Sequence, residues 1–96
     1  MPIVRIEHAV PTFEQWKQAF DNDPADRQGS GVRGYQILRA TDDPYYVMID
    51  LEFDSQEEAE GFLRAMEQIW GGPGKAVMRN PRARVAELVE RKDIRG

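Results

Sequence analysis

The side chains with the most specific chemistry to offer in this chain are one histidine, three tyrosines and two tryptophans. His8 falls on the apolar side of an alternating stretch, Ile3 to Val10. A neutral imidazole there can act as a general base beside a greasy pocket, or it can be a structural residue hydrogen-bonded to a backbone carbonyl or a carboxylate. Trp16 and Phe20, and further on Phe62, Met66 and Trp70, recur at helical spacing. Such a stripe lines a ligand pocket or fills a core. Tyr35 and Tyr46 add two hydroxyls that could hold a ligand oxygen. The reading that uses all of them is a pocket with His8 as base and Trp16, Phe20, Tyr35, Tyr46, Phe62, Met66 and Trp70 as ligand-binding residues.

Other groupings lead to less. Asp50, Glu52 and Asp54 share one strand parity, which suits hard cations, but the run lacks the loop glycine and distal glutamate of a calcium loop. Pairing of Asp50 and Glu52 with Arg5 or Arg39 across strands, with Asp54 opening a helix, accounts for them without a metal. Gly71, Gly72 and Gly74 precede Lys75, yet Pro73 and Ala76 break the phosphate-loop pattern, so the run reads as a helix stop. Arg27 and Arg33 are candidates for a carboxylate ligand or for ordinary solvated surface. With one His and no Cys, neither a zinc, haem or iron site nor a cysteine nucleophile can be assembled, and no serine motif accompanies His8. No cofactor is expected.

These residues must be positioned by elements whose limits the pattern predicts. Ile3 to Val10 alternate as a strand, with Val4, Ile6, His8 and Val10 on one face. Thr12 and Gln15 have capping-box spacing ahead of a helix over Phe13 to Asn22, stopped by Asp23 and Pro24. A polar stretch with Gly29, Gly31 and Gly34 follows, as a loop or lid. A second strand, Val32 to Ala40, turns through Thr41 to Pro44 into a third, Tyr45 to Phe53, whose Tyr45, Val47, Ile49, Leu51 and Phe53 must face the core. Ser55 and Glu58 cap a second helix, Gln56 to Trp70. The tail fits helical and alternating patterns nearly equally. A fourth strand, Arg84 to Glu90, is preferred because it closes the sheet against the first.

The order βαββαβ predicts an α+β, ferredoxin-like fold: a four-stranded antiparallel sheet with two helices on one face. The other face would carry Ile3, Ala9, Tyr46 and Met48 among Arg5, Glu7, Asp50 and Glu52. It is too apolar for free solvation and too charged for a dry core, so a second sheet is expected against it. Size agrees, because 96 residues form one domain, 1–96, that buries only about 60 to 65% of its unfolded surface and gains from a second subunit. Residues 1–70 hold six basic and 14 acidic side chains, and residues 71–96 hold seven and three. A net charge of -4 without a continuous basic face argues against nucleic acid. The basic segment Lys75 to Arg84 is expected to oppose the acidic one, within a subunit or across a dimer. No apolar run is long enough to span a bilayer, and residues 1–10 lack a leader pattern, so a cytoplasmic protein is expected.

Strand one with its embedded polar residue (PIVRIEHAV), the aromatic first helix (TFEQWKQAF), the strong third strand (YYVMIDLEFDS) and the second helix after it (EEAEGFLRAMEQIW) together resemble the dimeric α/β-barrel superfamily. That group includes small antibiotic-biosynthesis-type monooxygenases, haem-degrading oxygenases and muconolactone-isomerase-like proteins. The resemblance implies a homodimer whose sheets close into a barrel, with a small-molecule pocket between helices and sheet in each subunit. Haem-degrading members use a His on the second helix and an Asn on strand one. Here the second helix has no His and strand one carries His8, so haem turnover is disfavoured. The expected function is binding of a small aromatic or polyketide-like ligand. The alternatives are a cofactor-independent monooxygenase or isomerase with His8 as base, and a non-enzymatic interaction module.

Overall fold

In a computed structural model, the chain is described over residues 1–23, 26–72 and 79–94. Its elements are β1 (Pro2–Ala9), α1 (Phe13–Asp21), β2 (Gly34–Ala40), β3 (Asp43–Glu52), α2 (Gln56–Trp70) and β4 (Arg79–Glu87). The strands form one antiparallel sheet in the order β2-β3-β1-β4. This is the βαββαβ arrangement that the hydrophobic periodicities predict.

Both helices start where their caps demand. The Thr12 hydroxyl accepts from the Gln15 amide at 3.2 Å, and the Ser55 hydroxyl accepts from the Glu58 amide at 3.2 Å, each satisfying an amide with no intrahelical partner. At the end of α1, Asp23 adopts a left-handed φ of 55°, and its carboxylate accepts the Arg27 amide at 2.8 Å. Its short polar side chain tolerates that backbone and supplies the turn bond. Helix α2 ends at Gly71, whose amide returns to the Glu67 carbonyl. Pro24, Pro73, Gly74, Lys75 and Ala76 lie outside the described residues.

Three strands differ from expectation. β3 begins at Asp43, not Tyr45, because Asp43 already pairs Ala40 across a shorter turn, and Tyr45, expected in the core, is 55% exposed since it lies near the strand's outer end, beyond the helix-covered core. β2 begins at Gly34, not Val32, because the Val32 amide turns back to the Arg27 carbonyl and only Arg33 reaches the Glu52 carbonyl. β4 runs Arg79 to Glu87, not Arg84 to Glu90. Its limits follow β1: Pro2 pairs Glu87 at one end and Ala9 pairs Arg79 at the other, so residues beyond Glu87 have no further β1 residue to match except Met1, whose carbonyl accepts from Leu88. A register shift between Glu7 and Ala9 is accommodated opposite by Asn80 at φ 51°.

Val4, Ile6, Val47, Ile49, Leu51 and Phe53 present the sheet's inner face to Trp16 of α1 and to Ala59 and Phe62 of α2, and all are buried. Among the described residues, no helix lies over the opposite face.

Candidate functional site

His8 is 1% exposed, on the helix-covered face of β1 opposite Val47. Its Nδ1 lies 3.2 Å from the Ala9 carbonyl, an acceptor only, so the proton sits on Nδ1 and Nε2 carries the lone pair. Burial pushes the His8 pKa below the usual histidine value, against a smaller raising effect of the Ala9 carbonyl. The imidazole is therefore neutral near pH 7, and its Nε2 is buried without a hydrogen-bond partner among the described residues. The adjacent indole repeats the pattern. Trp16, fully buried, has its ring centroid 5.8 Å from that of His8, and its Nε1–H also lacks a partner. A buried lone pair and a buried N–H, each unpaired, cost free energy that a ligand with matching polar atoms would recover.

The remaining candidates are divided by the fold. Trp16 stacks on Phe20 at 5.2 Å, and Phe20 meets Tyr35 edge-on at 5.1 Å. This row runs from the core at His8 to the half-exposed Tyr35 on edge strand β2. Arg27 covers its outer end, with its guanidinium 3.9 Å from the Phe20 ring centre and donating to the Phe20 carbonyl at 2.6 Å. Phe62 packs against Phe53, and Met66 and Trp70 are half-buried against the same core. Trp70 carries the second buried indole N–H without a partner among the described residues.

Tyr46 does not join this group. It pairs Ala9 in register and so points to the uncovered face, where its hydroxyl donates to Glu7 at 2.6 Å. A pocket between helices and sheet cannot include it, since strand alternation puts it on the other side from His8. Two of the three carboxylates expected in a series, Asp50 and Asp54, are held in ion pairs. Arg5 grips Asp50 in bidentate fashion at 2.8 and 2.9 Å, and Arg33 holds Asp54 through Nε at 2.6 Å. Arg39 is not part of that arrangement, because it lies over the Phe13 ring on the helix side. The Gln36 amide adds a 3.1 Å bond to Asp50, and together these bonds hold the Asp50 carboxyl below its usual range despite burial. Gln36 was detectable only by its parity in β2, which puts it opposite Asp50.

A groove of about 370 Å³ opens between the start of α2 and the end of β4, lined by Pro2, Gln56, Glu60, Val85, Ala86 and Glu87. None of the residues expected to bind a ligand lines it.

No protein-family model matches the sequence, and no curated protein matches it. Solved structures do match. A Bordetella bronchiseptica protein provisionally named an antibiotic biosynthesis monooxygenase superimposes with a TM-score of 0.69 at 11% identity, covering 93% of this chain and 98% of that one. One from Nitrosomonas europaea, with the same provisional name, gives 0.62 at 14%, covering 94% and 100%. A dimeric ferredoxin-like protein from an uncultured marine organism gives 0.67 at 12%, covering 95% and 97%. The chain has their ferredoxin-like α+β fold. At these identities the likeness is one of fold, and it carries no residue of a site from one protein to another.

Proposed function

We propose that this is a cytoplasmic homodimeric protein that binds a small aromatic or polyketide-like molecule between its helices and sheet, at His8 and Trp16. The observation that carries the reading is the pair of neighbouring buried rings with unpaired nitrogens, one an acceptor and one a donor. A ligand hydroxyl or enol can donate to Nε2, and a carbonyl can accept from the indole. The apolar row toward Tyr35 offers ring-stacking surface along the way. Trp70 marks the α2 side of the same core, with Phe62 and Met66 beside it.

Homodimerisation is supported by the uncovered sheet face, where Ile3, Leu38 and Met48 lie among charges, and by the dimeric description of the marine structure with this fold. Among the described residues, no helix is long and apolar enough to cross a membrane.

An enzymatic reading is favoured by the state of His8. A neutral imidazole in an apolar site can take a proton from an acidic C–H next to a carbonyl. Returning that proton to a different carbon is an isomerisation. With dioxygen as oxidant, a CH₂ becomes a carbonyl, one oxygen atom ending in the product and the other in water. The names of the Bordetella and Nitrosomonas structures support the second reaction class.

The test is a screen of hydroxylated polycyclic aromatics by tryptophan fluorescence, with binding and turnover then compared between the wild type and His8→Ala. The expected result is loss of binding or turnover in a variant that keeps its dimer mass and helical circular dichroism. A variant that binds and turns over as the wild type does would overturn the assignment.

A further inference from the structure

On the helix-covered side of the sheet, one charged side chain near His8 still has no role. Arg39 pairs Val47 across β2 and β3, and Val47 pairs His8 across β3 and β1, so the three residues stand in one row on one face. Two strand spacings put the Arg39 and His8 Cα atoms about 10 Å apart. Arg39 is exposed on the edge strand, and His8 is buried further in. Helix α1 bridges them from above. The Arg39 guanidinium lies 5.0 Å from the Phe13 ring centre, Phe13 lies 5.8 Å from Trp16, and Trp16 lies 5.8 Å from His8.

The neighbouring arginines are already committed. Arg33 is bound to Asp54, and Arg27 donates to the Phe20 carbonyl at 2.6 Å with its Nε 3.5 Å from the Asp23 carboxylate. Arg5, Arg82 and Arg84 lie on the opposite face of the sheet. Arg39 differs from all of these, because among the described residues it makes no ion pair and donates to no acceptor. Its contact with Phe13 engages the face of a ring, which leaves the N–H fork of the guanidinium without an oxygen to bind. Asp43, in the turn that follows, directs its carboxylate to the Tyr45 amide at 3.0 Å.

We infer that Arg39 sets the charge of the ligand: the site takes an aromatic acid whose rings lie along Phe13 and Trp16, with its hydroxyl or enol at His8 and its carboxylate on Arg39. This rests on the ligand site proposed above and adds to it the anionic group and the residue that selects it. A guanidinium and a carboxylate match as two forks, so one exposed arginine can both hold and orient the acid. The direction of the ligand follows from burial. A carboxylate carried inward would lie among apolar side chains beside a neutral imidazole, with no cation to offset its desolvation, whereas at the β2 edge it keeps Arg39 and water. The net charge of -4 repels anions at long range, so preference for an acid requires a local cation such as this one. A row two strand spacings long suits a fused two-ring acid with its polar groups at opposite ends.

The probes are a hydroxynaphthoate with its hydroxyl and carboxylate on opposite rings and the matching carboxamide, which has the same rings and hydroxyl but no charge. Each is titrated near pH 7 by tryptophan fluorescence into the wild type, Arg39→Gln, Arg39→Lys and Arg33→Gln. The wild type should bind the carboxylate about tenfold more tightly than the carboxamide, as a charge-assisted pair partly open to water would give. Arg39→Gln should bring that ratio to about one, and Arg39→Lys should retain part of it. Arg33→Gln removes the same charge away from the row and should retain all of it. Because the ratio is taken within each protein, a smaller folded fraction cannot imitate its loss. A carboxamide bound as tightly as the carboxylate by the wild type, a ratio that survives in Arg39→Gln, or one lost equally in Arg33→Gln would each overturn the role of Arg39 while leaving the ligand site in place. So would a wild type that binds other hydroxylated aromatics but neither probe. A folded wild type that binds no hydroxylated aromatic, charged or neutral, would instead overturn the ligand site, and the role of Arg39 with it.

Discussion

At the scale of single residues, His8 and Asp50 are ionisable groups buried in ways that respond oppositely to charge. His8 has no charged partner, so burial favours its neutral form, and the folded protein holds a proton there less readily than the unfolded chain. Stability therefore falls as pH drops below about 6.5, the ordinary histidine value, where the unfolded chain takes up a proton that the fold rejects. The slope cannot exceed about 1.4 kcal/mol per pH unit for one group. Urea unfolding between pH 7.5 and 5 should show this loss, and His8→Phe, which keeps an apolar ring in place, should flatten it. An equal slope in both proteins would mean that another group titrates. Asp50 has the opposite sign. Its carboxyl is held low by Arg5 and Gln36, so its contribution is complete above about pH 4, the ordinary Asp range, and is lost only as the pH falls further, through its lowered folded value. Since Arg5 is itself largely exposed, solvent screens the pair. Arg5→Ala should then cost about 1 kcal/mol in an unfolding titration near pH 7, mostly from a carboxylate left with fewer partners. The residue types legible in sequence were these same ones, His8 among apolar neighbours and Asp50 paired with Arg5 or Arg39, of which the pairing of β1 with β3 selects Arg5. The side on which Tyr46 lies was legible as well, since alternation in β3 sets it with Met48 on the uncovered face, and that parity is what excludes it from the set expected around His8.

At the scale of elements, the helix starts are found where the local chemistry puts them, and the hairpin turn falls within the stretch that signals it, though it is shorter than Thr41 to Pro44. Thr12 and Ser55 cap α1 and α2, and Thr41 and Asp42 make the turn between β2 and β3. Those signals need no tertiary information. The limits of β4 do, since they are set by the length of β1, and a tail in which Val85, Leu88 and Val89 suit either period cannot announce them. Helix α2 is the element on which a local signal and a tertiary one can be compared. Ser55→Ala removes the bond to the Glu58 amide and should cost about 1 kcal/mol, or about 4–8 °C in thermal midpoint for a chain of this size. Phe62→Ala removes a ring packed on Phe53 in the core and should cost about 3–5 kcal/mol. Thermal and urea unfolding of both variants would check the order. A larger loss for the cap than for the ring would mean that α2 is held by its own propensity and not by docking on the sheet.

At the scale of the whole molecule, the sheet has one face closed by two helices and one face with none, and 96 residues leave little surplus stability to tolerate that. Met48 sits centrally on the uncovered face, half-buried, in the row between Leu38 and Glu7. Placing a carboxylate there has two different consequences according to whether a second copy covers it. In a solvated sheet, Met48→Glu is a surface change worth about 0.5 kcal/mol or little more, with some repulsion from Glu7 and Asp50 nearby. Beneath a second sheet it buries an unpaired charge in each copy, and association should fall by at least a hundredfold, in line with the several kcal/mol that unpaired buried charges cost. Stability of an associated wild type also depends on concentration, because dilution releases a partner that binds only the folded chain. The wild-type thermal midpoint should thus rise as protein concentration is raised, and that of Met48→Glu should stay flat at a lower value while its far-ultraviolet dichroism remains that of the folded chain. If both midpoints are flat and nearly equal, the uncovered face is solvated and the charges on it are arranged for water, not for a second copy of the chain.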